Sequence, residues 1–185
     1  MRLSRPRIAA LADEQFNADA KEVLQPIASK GAVLNIFRTM ANHPSLAKRW
    51  MVFANHILGK STLDAKEREL VILRIGFLCN AGYEWGQHVG IARRVGLTDE
   101  EILLAQTGPQ SSGISPLYGL LLQATDELHG DAHISDVTWQ GLVEHYNDHK
   151  IMYLVFTVGQ YNLVSMALNS FGVQLDEGIP GWDLR

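Results

Sequence analysis

The chain has one cysteine, Cys79, in 185 residues. A single thiol closes no intrachain disulfide and supplies no Cys-x-x-Cys redox pair. The simplest place for it is as a small buried apolar residue at the end of an apolar helix. Net charge is −4 and no long basic run occurs, which argues against nucleic acid as a partner. No apolar stretch was expected to reach the roughly 18 residues that a membrane span needs, so no membrane partner is expected either. The N-terminal residues Met1 to Pro6 are basic, but no apolar signal core follows them, and a cytoplasmic location is the expectation. There is no glycine-rich phosphate loop and no Gly-x-Ser-x-Gly nucleophile elbow. No alternating strand pattern, sequence repeat or low-complexity segment stands out.

What is present is helix. Hydrophobic residues make up 46% and charged residues 19%, enough apolar material for a sizeable core in one compact domain over 1–185. Val23, Leu24 and Ile27 stand at helical spacing within 17–29, with Pro26 expected to kink or shorten that segment. A short helix over 34–41 turns Ile36, Phe37 and Met40 inward. Pro44 suits the first turn of the next, which runs to about residue 58 with Leu46, Trp50, Phe53, Ala54 and Ile57 along one face.

Asp64 and Glu67 form a capping box ahead of an almost wholly apolar run, 70–78, which should be central and buried. Gly82 permits a tight turn into a helix ending near Gly96. Thr98 and Glu101 make a second capping box, 107–115 is a loop, and helices follow from Ser115, Ser135 and about Lys150. The expected class is all-α, about eight helices in a bundle, with extended arms at 1–15 and 172–185.

The residues with chemistry in them cluster at 69–88. Glu84 and His88 stand four apart, one turn along a single helix face, flanked by Tyr83, Trp85, Val89 and Ile91. A carboxylate one turn from an imidazole favours its protonated form and fixes its tautomer. Glu69 sits among Ile72, Leu73 and Gly76, so it is either desolvated or salt-bridged to Arg68, Lys66 or Arg74. Arg74 is either that structural partner or an anchor for an anionic substrate. Tyr83 and Trp85 are candidates to line the substrate site. Metal binding has little support, since no Glu-x-x-His or His-x-x-x-His pattern occurs; no metal and no cofactor are expected. His129, His133, His145 and His149 are scattered near helix ends.

From Glu67-Arg68-Glu69-Leu70, through Tyr83-Glu84-Trp85-Gly86-Gln87-His88, to Gly96-Leu97-Thr98-Asp99-Glu100-Glu101-Ile102, the chain resembles the carboxymuconolactone decarboxylase family, within the alkylhydroperoxidase D-like superfamily. The resemblance is most specific over 64–102 and continues more weakly through Trp50 and through Gly159-Gln160-Tyr161-Asn162. It implies an all-helical homotrimer or homohexamer with its site near subunit contacts, and a setting in aromatic-compound metabolism. In the peroxidase branch a glutamate, a Cys-x-x-Cys pair and a histidine form a proton-relay thiol site. Glu69 and His88 match that glutamate and histidine, while the cysteine positions fall on Ala81 and Glu84.

The resemblance therefore implies a cofactor-independent lyase that decarboxylates, or moves a proton on, a small unsaturated lactone or keto acid. His88 is the expected general acid–base, with Glu84 orienting it and Glu69 relaying protons or holding its charge. The alternatives are an alkylhydroperoxidase-like antioxidant protein using Cys79 as a lone thiol, and a non-catalytic helical assembly protein.

Overall fold

The computed structural model describes residues 1–182 and residue 184. Among these, nine α-helices and one short 3-10 turn form, and no strand. The helices are α1 (Ala18–Ala28), α2 (Asn35–Met40), α3 (Pro44–Gly59), α4 (Ala65–Leu78), α5 (Gly82–Arg94), α6 (Asp99–Thr107), α7 (Pro116–Asp131), α8 (Asp136–Val143) and α9 (Asp148–Phe171). Pro26 is accommodated inside α1.

α4 is the hub, packing against α5, α6, α7 and α9. Leu70, Val71, Ile72, Leu73 and Ile75 are all fully buried. Each such side chain contributes roughly 1.5–3 kcal/mol on leaving water. That is why a helix with hardly any polar face is stable here: every side has a neighbour. Its start is fixed by the expected capping box, with Asp64 Oδ1 accepting from Lys66 N at 2.9 Å and Glu67 Oε2 accepting from Asp64 N at 3.1 Å. Thr98 and Glu101 cap α6 in the same way.

The turn between α4 and α5 folds the chain back on itself. Asn80, at φ 51°, takes the left-handed conformation there, rather than Gly82. Asparagine tolerates that region because its short side chain costs little. The glycine that matters in α5 is Gly86. A β-carbon there would lie 2.7 Å from Ile179 Cγ2 and 3.1 Å from the Gly181 backbone. The C-terminal segment is thus laid directly on the helix.

Both arms pack on their own chain. Arg7 N and Ile8 N donate to Phe171 O, and Leu11 N donates to Arg38 O. Asp176 accepts from Tyr83 Oη at 2.5 Å, from Gln87 Nε2 at 2.7 Å and from Asn35 N at 2.8 Å. Trp182 packs tilted against Trp85 and edge-on against Phe77, with ring centroids 5.6 and 5.9 Å away. The arms have partners within the subunit, so they give no reason of their own for oligomerisation.

Two further expectations are corrected. The stretch 151–173 carries no charged residue, and α9 is long and apolar enough by composition to cross a membrane; half of that window is buried inside the fold. The face of α3 expected to point inward is only partly covered: Ala47 and Ile57 are buried, but Leu46 and Phe53 are exposed. They border an apolar groove of about 990 Å³ between α3 and α9.

Candidate acid–base site

Because α5 runs back along α4, Glu69 on α4 comes to lie against His88 on α5. Glu69 Oε2 is 2.7 Å from His88 Nδ1. Glu84 Oε1 is 2.9 Å from His88 Nε2, the ion pair of the same helix face. The three form one line, carboxylate–imidazole–carboxylate, with residue exposures of 0%, 6% and 4% for Glu69, His88 and Glu84. A carboxylate at each ring nitrogen favours the imidazolium, the form that carries a donor on both sides. Tyr161, from α9, sets its ring edge-on to His88 at 5.0 Å between centroids.

The electrostatics agree with that geometry. Burial alone would push the His88 imidazolium toward losing its proton. The charge of Glu84 and the bonds to Glu69 and Glu84 override burial and raise its pKa to about 10. Burial likewise pushes the Glu69 carboxyl upward, but His88 and Arg68 together bring it below its ordinary value. Arg68 does so through Nε and Nη2, both donating to Glu69 Oε1 at 3.1 and 3.0 Å. The salt-bridge partner of Glu69 is therefore Arg68, in addition to His88.

Arg74 lies elsewhere. Its Nε and Nη2 form a fork on the two oxygens of Asp126 at 2.6 and 2.7 Å, and Nη1 donates to the carbonyls of Ala105 and Gln106. All three guanidinium nitrogens are engaged in tying α4 to α6 and α7, so the substrate-anchor expectation gives way to a structural role. Tyr83 and Trp85 are also turned away from His88. Each residue rotates the helix by about 100°, so the neighbours of Glu84 on either side point off its face. Tyr83 bonds Asp176 and accepts from Ile36 N, and Trp85 is fully buried against Phe77 and Trp182.

Cys79, the residue after α4, donates from Sγ to Asn162 Oδ1 at 3.0 Å, with His129 Nδ1 at 3.9 Å. Burial raises its pKa, which keeps the thiol protonated. A metal ion could not draw on all three site residues at once, because Glu69 and Glu84 occupy opposite edges of the imidazole ring. Arg68 was weighed from the sequence only as one of three salt-bridge candidates, and Tyr161 entered only within the weakly resembling stretch 159–162. Nothing in local spacing signals that Tyr161 meets His88.

Residues 44–114 match the model of the Carboxymuconolactone decarboxylase family. No curated protein matches the chain by sequence. Among solved structures, the fold is similar to an uncharacterized peroxidase-related protein from Silicibacter sp. TM1040, at TM-score 0.81 and 15% identity, covering 99% of each chain. It is similar to another peroxidase-related protein, described as an alkylhydroperoxidase AhpD core, from Ralstonia eutropha JMP134, at TM-score 0.81 and 16% identity over 94% of each chain. A cysteine-to-alanine variant of the debrominase Bmp8, in complex with 2,3,4-tribromopyrrole, is similar at TM-score 0.73 and 13% identity over 94% of each chain.

Proposed function

We propose that this chain, whose residues 44–114 match the model of the Carboxymuconolactone decarboxylase family and whose all-α fold is AhpD-like, is a cofactor-independent acid–base enzyme. It decarboxylates, or moves a proton on, a small unsaturated lactone or keto acid, acts in the cytoplasm and works as a homo-oligomer. The observation that carries this reading is the buried line Glu69–His88–Glu84, with 2.7 and 2.9 Å contacts at the two ring nitrogens. Buried, strongly perturbed titratable groups in one line are the usual form of a proton-transfer site.

The contacts refine the roles expected from sequence. Both nitrogens of His88 are engaged, so the ring does not hand a proton to a substrate directly. Glu84 is the end of the line: its Oε2 is in no hydrogen bond among the described residues. Loss of CO2 from a β,γ-unsaturated lactone acid breaks the bond to the carboxylate carbon and leaves its electron pair delocalised into the lactone carbonyl as an extended enolate. In our reading Glu84 takes the proton from His88 Nε2 and passes it to the enolate carbon, leaving His88 neutral. Solvent then reprotonates His88. Glu69, held ionised by Arg68, stabilises the imidazolium between turnovers. Such proton transfer contributes roughly 10²–10⁴-fold, the remainder coming from positioning and preorganised charge.

The test is a panel of unsaturated lactone acids and β-keto acids assayed for CO2 release, with His88→Ala as the control. A substrate turned over by the wild type and slowed on the order of 10²-fold or more in His88→Ala supports the reading. Turnover of an active substrate at the wild-type rate by His88→Ala excludes this site.

A second reading is an antioxidant protein using Cys79 as a single thiol. The placement of Cys79 Sγ beside Asn162 and His129 favours it, as does the likeness to peroxidase-related proteins. The raised thiol pKa and the lack of a second cysteine weigh against it. A non-catalytic assembly protein is the third; a small acid that raises the melting temperature of the wild type would argue against it.

A further inference from the structure

α9 has two faces of different character. Its inner face buries Ile151, Leu154, Val158, Tyr161, Val164 and Leu168. Its outer face exposes Met152 at 57%, Phe156 at 50%, Leu163 at 53% and Met166 at 59%, with Gly159 and Ser170 also exposed. These six positions are spaced four, three, four, three and four apart, the heptad spacing of a helix seam that expects another helix. Over 152–170 the seam is roughly 27 Å long at 1.5 Å per residue. No charged residue lies on it or anywhere from 151 to 173.

The size of the residues along the seam suits a second copy of the same helix. About Tyr161 as midpoint, Gly159 and Leu163 are symmetrically placed, as are Phe156 and Met166, and Met152 and Ser170. Laid antiparallel on a copy of itself, the seam sets each Leu163 over the other helix's Gly159 and each Phe156 against a Met166. A β-carbon added at Gly159 meets nothing within 4 Å in its own chain, so there is open room for an incoming leucine. Large residues thus face small ones twice, as a self-complementary two-fold contact requires. Leu46 and Phe53 of α3 border the seam, Phe53 meeting Phe156 edge-on at 6.1 Å. They widen the apolar surface that the second copy covers.

We infer that the outer face of α9 is a two-fold interface with a second copy of this chain, centred at Tyr161 and keyed by Leu163 of each copy seated on Gly159 of the other. This goes beyond the proposed homo-oligomer by fixing a face and a symmetry. A dimer, or a hexamer built from dimers, contains such an axis; a lone trimer does not. The interface lies on the back of the helix whose inner face sets Tyr161 against His88.

Light scattering coupled to size exclusion, on the full chain at micromolar concentration, tests this independently of any catalytic activity. The wild type is expected to be dimeric or hexameric. Gly159→Leu should weaken the two-fold contact on the order of 30-fold or more, giving monomers or trimers, while circular dichroism and thermal unfolding show a retained fold. Leu163→Glu should do the same. Gly159→Leu combined with Leu163→Ala exchanges the large and small partners and should restore the assembly. A wild type that is monomeric or trimeric overturns the inference, and so does Gly159→Leu or Leu163→Glu with unchanged assembly. Failure of the combined variant to recover also overturns it. A monomer that binds neutral phosphatidylcholine vesicles through this face would replace the second copy with a lipid surface.

Discussion

Replacing Glu84 with Gln keeps the shape of the side chain and removes its charge. In the wild type His88 rises from an ordinary 6.5 to about 10. At 1.36 kcal/mol per unit this is a preference of roughly 5 kcal/mol for the charged ring in the folded protein. Two carboxylates at similar distances, 2.7 and 2.9 Å, supply it, and burial works against them. Because burial persists when one carboxylate goes, the pKa should fall by more than half of the whole rise. The corresponding loss of stability near neutral pH is on the order of 2–3 kcal/mol. Histidine ring resonances followed by NMR across pH give the ionisation of His88 directly, and denaturant unfolding gives the stability. A wild-type His88 that titrates near 6.5, or a Glu84→Gln variant that titrates where the wild type does, would refute the reasoning.

The same pKa sets a pH dependence. Since the folded value lies above the unfolded one, the stabilisation from His88 is complete below about 6.5 and is lost as pH climbs through about 10. Unfolding free energy should therefore fall more steeply from pH 7 to above 10 than in a Glu69→Gln/Glu84→Gln/His88→Gln variant, whose line is uncharged. Cys79→Ser should leave any peroxide turnover with thiol reductants unchanged, because no dithiol-dependent activity above background is expected from one protonated thiol. Arg74→Ala should cost on the order of 3–5 kcal/mol by stranding Asp126 and two carbonyls, without moving the His88 titration; equilibrium unfolding and NMR together check both halves.

The helices were legible because their signals are local. Asp64 with Glu67, Thr98 with Glu101, and Pro44 at a first turn are read within four residues, and the apolar run of α4 announces its own burial. The pairing of Glu84 with His88 was legible for the same reason. Arg74 was not, because its fork on Asp126 spans 52 positions and an arginine among apolar residues looks alike whether it meets a substrate or a buried aspartate. Tyr83 and Trp85 were drawn to the site by adjacency in sequence, which on a helix means different faces. The C-terminal arm read only as an extended segment because Asp176, Ile179 and Trp182 find their partners on α5, far back in the chain. Leu46 and Phe53 read as core because apolar spacing marks a face that wants cover, not which surface covers it.

The central claim is that protons reach a substrate carbon through Glu84, replenished by His88. The most direct measurement is turnover in D2O of whichever unsaturated lactone acid or β-keto acid proves active, following deuterium at the enolate carbon that is protonated. The account predicts one solvent deuteron per product from the wild type, and a rate lower on the order of 10²-fold or more in Glu84→Gln. Deuterium delivery at the wild-type rate by Glu84→Gln would contradict it.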